Sequence, residues 1–168
     1  NHLFGLGEMG NKWINGVHKH AAAIELKNYL GEKQFNEYFK FAFVRHPMDW
    51  QVSLYEYIRS NTHKDHDLVN KITFKEFVLK EIKDKSPRQI DFLIENNNFI
   101  INKIYKFENI DKDLEALFKA LKINVKKNSL KHLNKSPRVK SFYEYYDSEL
   151  EKAVRDYYSE DFKLLGYD

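Results

Sequence analysis

The sequence predicts an α/β domain with a parallel sheet flanked by helices, and three observations carry this. Residues 39–45 are an apolar, aromatic run with apolar residues on both faces, as in a strand inside a parallel sheet, and residues 99–107 read as a second strand. Each run is followed by a segment with helical spacing, so strands alternate with helices. The chain has 168 residues with 15% aromatics, six glycines and three prolines, which suits one packed domain over residues 1–168 and excludes a disordered chain.

Taken in order, "NHLFGLGEMGNKWING" (1–16) is spaced by glycines and should be irregular. "AAAIELKNYLG" (21–31) should be a short helix: Ala23, Leu26 and Leu30 share a face and Gly31 supplies the stop. The strand at 39–45 leads to a helix over 49–60, with Asp49 as its cap and Trp50, Leu54, Tyr57 and Ile58 as its buried stripe. Residues 61–71 are polar loop. "TFKE" (73–76) is a capping box opening a helix over 73–83. Residues 96–98 are a turn before the strand at 99–107. Asp111 caps a helix presenting Leu114, Leu117, Phe118 and Leu121. "NSLKHLNKSPRVKS" (128–141) is a basic loop, and a last helix starts near Asp147 or Ser148 with Leu150, Ala153, Val154, Tyr157 and Tyr158 on its apolar face. Two strands are few for such a domain, so at least one more is expected.

Composition narrows the function. A net charge of +3 is too mild to argue for nucleic acid or a membrane surface. With no cysteine, disulfides, thiolate zinc sites and cysteine nucleophiles are excluded. No apolar run approaches the roughly 18–20 residues of a membrane span, and no signal peptide is visible; the compartment is left open, with the cytoplasm expected if the chain is bacterial. The first residue is Asn1 and not Met, so a chain cut or incomplete at its N-terminus is expected.

The most informative stretch is "KFAFVRHPMDWQVSLYEY" (40–57). Ligands of open α/β sheets bind beyond the carboxyl ends of the strands, where Arg45 sits. Pro47 opens the next helix without losing a hydrogen bond, and a helix N-terminus attracts anions. Arg45 adds a planar fork suited to phosphate, and Ser53, eight positions on, offers a hydroxyl to the same anion. The alternative is that Arg45 pairs with a carboxylate and Ser53 is a small helix residue. Chemistry alone leaves both standing.

This stretch resembles the 3′-phosphate-binding motif of sulfotransferases that use 3′-phosphoadenosine 5′-phosphosulfate (PAPS). The likeness is greatest to the carbohydrate group that contains heparan sulfate 2-O-sulfotransferase and its bacterial relatives. There a strand ends in Val-Arg-Asn/Asp-Pro and a serine follows eight residues after the arginine; here the third position is His46. "IYKFENI" (104–110), "HLNKSPR" (132–138) and "YYDSELEKAVRDYYSEDFKLLGY" (145–167) resemble the family's later strand, nucleotide-covering loop and C-terminal helix. The resemblance runs from about residue 18 to the end. It implies a P-loop NTPase-like sulfotransferase fold, with Arg45 and Ser53 on the 3′-phosphate of PAPS and no metal. Lys135 and Ser136, and more loosely Arg138, would close over the nucleotide with charge-assisted hydrogen bonds. A solvated basic stretch is the plainer reading of that loop. Glu108 matches the family's Phe-Glu-Asn and reads as structural.

"GVHKHAAAIEL" (16–26) places His18 and His20 on one side of an extended segment, just before a helix. A positive helix end disfavours imidazolium, and a neutral imidazole accepts a proton as a general base must. The resemblance implies His20 as base with His18 in support. A packing or capping role for His20 stands beside it, and a zinc site lacks a convincing third ligand.

The family begins with a strand and a phosphosulfate loop that "LFGLGEMGNK" (3–12) does not match. The expectation is that this first strand and loop lie before Asn1, leaving a sheet edge that a second copy of the chain would cover. The expected function is therefore sulfuryl transfer from PAPS to a carbohydrate hydroxyl. The alternatives are a non-catalytic nucleotide- or glycan-binding module and, less favoured for want of a Walker Gly-Lys-Ser/Thr, a nucleotide kinase relative.

Overall fold

The computed structural model describes residues 20–60, 65–124 and 140–168. The expected irregular segment at 1–16 lies outside them, as does the basic loop at 128–141 except for its last two residues. The described residues form two compact units, one of residues 20–42 and 89–104, the other of residues 43–60, 65–88, 105–124 and 140–168.

In the first unit, α1 (Ala23–Leu30) and α2 (Glu32–Glu37) are separated by Gly31, whose φ of 78° is a conformation that glycine adopts without strain. The helix and its glycine stop are where the sequence puts them. Phe35, Ile90, Leu93 and Ala23 are buried here, and Lys27 of α1 bridges at 2.6 Å to Glu95. Glu95 ends β2 (Ile94–Glu95), which pairs antiparallel with β3 (Asn98–Phe99). Asn96 and Asn97 between them have φ of 49° and 61°, the left-handed pair that a two-residue hairpin turn requires.

That hairpin corrects the expected strand over 99–107. Its first residue turns back on β2, the chain then bends, and only β4 (Lys103–Lys106) joins the other sheet. β4 pairs with β1 (Phe41–Val44). The Lys40 carbonyl accepts from the amides of Asn102 and Lys103 at 2.8 and 3.1 Å, and farther along Phe43 stacks on Tyr105 at 5.3 Å. Numbers rise together on both strands, so they run parallel. Mixed helices and a parallel sheet are the architecture expected of an α/β sulfotransferase-like fold.

The second unit holds α3 (Pro47–Ser60), α4 (His66–Val69), α5 (Phe74–Lys83), α6 (Ile110–Ala120), α7 (Ser148–Tyr157) and α8 (Ser159–Leu165). Its core joins Met48, Val52, Tyr55 and Ile58 of α3 to Phe74, Phe77 and Val78 of α5 and to Leu150, Val154, Tyr158 and Phe162. The stripe expected on α3 is thus rotated. Trp50 and Leu54 are only partly buried and Tyr57 is exposed, because helix register follows the start at Pro47 and the facing helices, not the largest side chains. α4 interrupts the expected polar loop. Asp111 sits in the first turn of α6 and does not cap it; Asn109, the residue before the helix, occupies that place.

Two caps follow the sequence. Thr73 Oγ1 accepts the Glu76 amide at 3.2 Å while Glu76 accepts the Thr73 amide at 2.7 Å. Asp147 accepts the Leu150 amide at 2.8 Å and opens α7. Among the described residues no helix is long and apolar enough to cross a membrane.

Leu150 is 1% exposed in the contact of α7 with α5, whereas Leu79 is 42% exposed. Leu150→Ala should lower the unfolding free energy by about 3 kcal/mol and Leu79→Ala by under about 0.5 kcal/mol in urea titrations. Equal losses would show that the core does not run through this helix pair.

Candidate active site

β1 ends at Val44 and α3 begins at Pro47, so Arg45 and His46 form the whole turn between strand and helix. The strand ends because proline cannot donate to a ladder and its fixed φ starts a helix. The Trp50 amide donates to the His46 carbonyl at 2.8 Å, the first bond of α3. His46 therefore takes the cap position expected of Asp49, which instead lies in the first turn.

The Arg45 Nε donates to the Asp49 carboxylate, which is 6% exposed. The guanidinium lies 4.4 Å from the centre of the Phe107 ring. Asp49 and Ser53 are four residues apart on α3 and share its face. Arg45, Asp49 and partly buried Ser53 therefore line up along one side of the helix start. The carboxylate expected in the plainer reading of Arg45 is present, and it holds one edge of the guanidinium in place.

Glu108, in the short helical turn Phe107–Asn109 that follows β4, serves the Arg45-His46 turn. One of its oxygens accepts the His46 backbone amide at 2.8 Å, and the other lies 3.0 Å from the Tyr167 hydroxyl. The structural reading of Glu108 fits this geometry. The Tyr167 hydroxyl also lies 3.2 Å from the Val44 carbonyl oxygen.

The His46 ring is packed among Phe142, Phe162, Tyr167 and Tyr143, with centroids 4.8 to 6.2 Å away. Its Nδ1 is buried without a hydrogen-bond partner among the described residues. Burial holds its pKa below the ordinary histidine value, against the opposing pull of the Asp168 backbone and the Glu108 and Asp49 carboxylates.

Of the other sequence candidates, His20 is exposed and lies two residues before Ala22, the residue that caps α1. It belongs to the first unit, Arg45 and Ser53 to the second. His18, Lys135, Ser136 and Arg138 lie outside the described residues. The first unit also has a cavity of about 300 Å³ lined by Lys27, Lys40 and Asn102, among others. Its lysines have other work: Lys27 pairs with Glu95, and Lys40 donates to the carbonyls of Phe35 and Tyr38. Among the described residues no three His, Asp or Glu side chains gather as a metal site would need.

Sequence reasoning missed Asp49 as the partner of Arg45, and the roles of Phe107, His46 and Tyr167. The four-residue spacing of Arg45 and Asp49 was a usable signal once the helix is started at Pro47. Phe107, Tyr167 and the aromatic rings packed around His46 come from segments more than fifty residues away, and no local pattern marks them.

The family model described as "Sulfotransferase family" matches residues 9–168. No curated protein and no solved structure matches the chain.

The His46 geometry gives a pH dependence. Its pKa is lower folded than unfolded, so the unfolded chain takes up the proton first as pH falls. The stability it contributes is full above about pH 6.5, the ordinary histidine value, starts to fall below it, and is lost as pH falls through the lower folded value. The urea midpoint of the wild type should drop more between about pH 7.5 and about pH 5.5 than that of His46→Phe. Parallel curves would remove His46 as the source.

Proposed function

The chain belongs to the sulfotransferase family, and on that premise we propose that it transfers a sulfuryl group from PAPS to a hydroxyl of a carbohydrate. Sulfuryl transfer is the chemistry of the family, and PAPS is its usual donor. The observation that supports the finer reading is Arg45 at the end of a parallel strand, fixed at Nε by Asp49 and followed on the same helix face by Ser53. A guanidinium held along one edge meets a phosphate with its planar fork already oriented, so little side-chain entropy is lost on binding. This fits the 3′-phosphate that distinguishes PAPS from ATP.

In this reading Arg45 and Ser53 bind the 3′-phosphate, and Lys135, Ser136 and Arg138 close over the nucleotide. PAPS supplies the sulfuryl group, bound through a bridging oxygen to the 5′-phosphate. His20, supported by His18, takes the proton of the acceptor hydroxyl while that oxygen forms its bond to sulfur. The bond from sulfur to the bridging oxygen breaks, and adenosine 3′,5′-bisphosphate leaves. The carbohydrate acceptor rests on the resemblance of residues 40–57 and the later motifs to the heparan sulfate 2-O-sulfotransferase group.

Isothermal titration with adenosine 3′,5′-bisphosphate, and sulfate transfer from labelled PAPS to a glycan panel, test this. Arg45→Ala should weaken bisphosphate binding by about tenfold to a hundredfold, the loss of one charge-assisted contact. His20→Ala should keep that affinity and lose transfer by about a hundredfold or more. No bisphosphate binding by the wild type would sink the proposal. Tight binding with no transfer to any acceptor would favour a binding module.

A further inference from the structure

We infer that Tyr167 and Glu108 are positioning residues for Arg45, clamping the backbone on both sides of it. The inference rests on the reading of Arg45 as the 3′-phosphate ligand. Arg45 and His46 belong neither to β1 nor to α3, so regular ladder bonds do not fix the backbone from which the guanidinium projects. The neighbouring groups are fixed from elsewhere. On the strand side, the Val44 carbonyl oxygen faces the Tyr167 hydroxyl at 3.2 Å. On the helix side, the His46 amide donates to Glu108 at 2.8 Å. Tyr167 and Glu108 are themselves in contact at 3.0 Å. The peptide groups flanking Arg45 thus hang on one tyrosine–carboxylate pair drawn from two distant segments.

Both members are held in turn. Gly166 adopts a left-handed conformation, φ 68° and ψ 49°, as α8 ends, and the Tyr167 amide donates back to the Phe162 carbonyl at 2.9 Å. This C-terminal turn folds Tyr167 toward the strand end. Lys106 donates to the Gly166 carbonyl and stands 4.3 Å from the centre of the Tyr167 ring. Phe107, between Lys106 and Glu108, lies beneath the Arg45 guanidinium. Three consecutive residues therefore serve the tail, the arginine and the turn. The Tyr167 phenol is pushed well above its ordinary pKa by burial and by Glu108, so it stays protonated and serves as a donor. Its single proton reaches one of its two acceptors at a time.

Tyr167→Phe removes the hydroxyl without changing charge or ring volume. Titration with adenosine 3′,5′-bisphosphate and with adenosine 5′-monophosphate, which lacks the 3′-phosphate, reads the clamp. The variant should bind the bisphosphate about fivefold to tenfold more weakly, and the monophosphate within about twofold of wild type. In an Arg45→Ala background the same substitution should change neither affinity beyond about twofold, because the clamp acts through the arginine. A folded Tyr167→Phe that keeps the wild-type preference for the bisphosphate, or that weakens both nucleotides equally, overturns the clamp and leaves the Arg45 reading intact. A wild type with no preference between the nucleotides overturns the Arg45 reading and the clamp with it. Should Tyr167→Phe fail to fold by circular dichroism, Glu108→Gln replaces it in the same cycle. It should lose the bisphosphate preference only where Arg45 is present, and a retained preference overturns the inference.

Discussion

A chain that leaves a strand and enters a helix within two residues strands polar groups that neither element can satisfy. Here that turn is Arg45-His46, and its donors are taken up by two carboxylates. Asp49 receives the guanidinium, and Glu108 receives the His46 amide. The placement of α3 on the core, the orientation of Arg45 and the docking of the C-terminal tail all meet at this turn. Both carboxylates are held by further contacts: Asp49 by its buried place in the first helical turn, Glu108 by the Tyr167 hydroxyl.

In the proposed reading of Arg45 as a phosphate ligand, the arrangement also keeps the arginine in order. An isolated guanidinium on a long stem samples many rotamers, and binding must then stop that motion. Bonding Nε to a nearly buried carboxylate one turn along, with the Phe107 ring beneath, limits the motion beforehand. In that reading the cost is a negative charge, that of Asp49, beside the proposed anion, which the shared guanidinium must offset. A histidine follows the arginine where the resembling family has Asn or Asp. Its ring extends into an aromatic cluster built from Phe142, Phe162 and Tyr167, and this couples the turn to the packing of the second unit.

Local chemistry was legible where one short segment settles it. The Thr73 capping box, the Asp147 cap, the Gly31 stop and the asparagine turn at 96–97 each rest on bonds or dihedrals within a few residues. Expectations failed where the competing partner was distant. The apolar run at 99–107 has the composition of one strand, yet Phe99 pairs with Ile94 while Lys103–Lys106 pairs with β1. Trp50 was expected in the buried stripe, yet it only packs partly buried against the core, while Met48 and Val52 are the fully buried members from α3. Asp49 looked like a cap because a cap is what a local pattern offers an aspartate at a helix start.

By itself the sequence determined the alternation of strands and helices, the arginine at a strand end, and the spacing that puts a serine on the same helix face two turns on. These follow from periodicity, proline geometry and capping, which act over a handful of residues. Only the tertiary structure decided what surrounds that arginine. The Phe107 ring, the Glu108 carboxylate and the Tyr167 hydroxyl come from 62 or more positions along the chain. Contacts across such loops are chosen by which faces can be buried together, and no pattern within one segment encodes that choice.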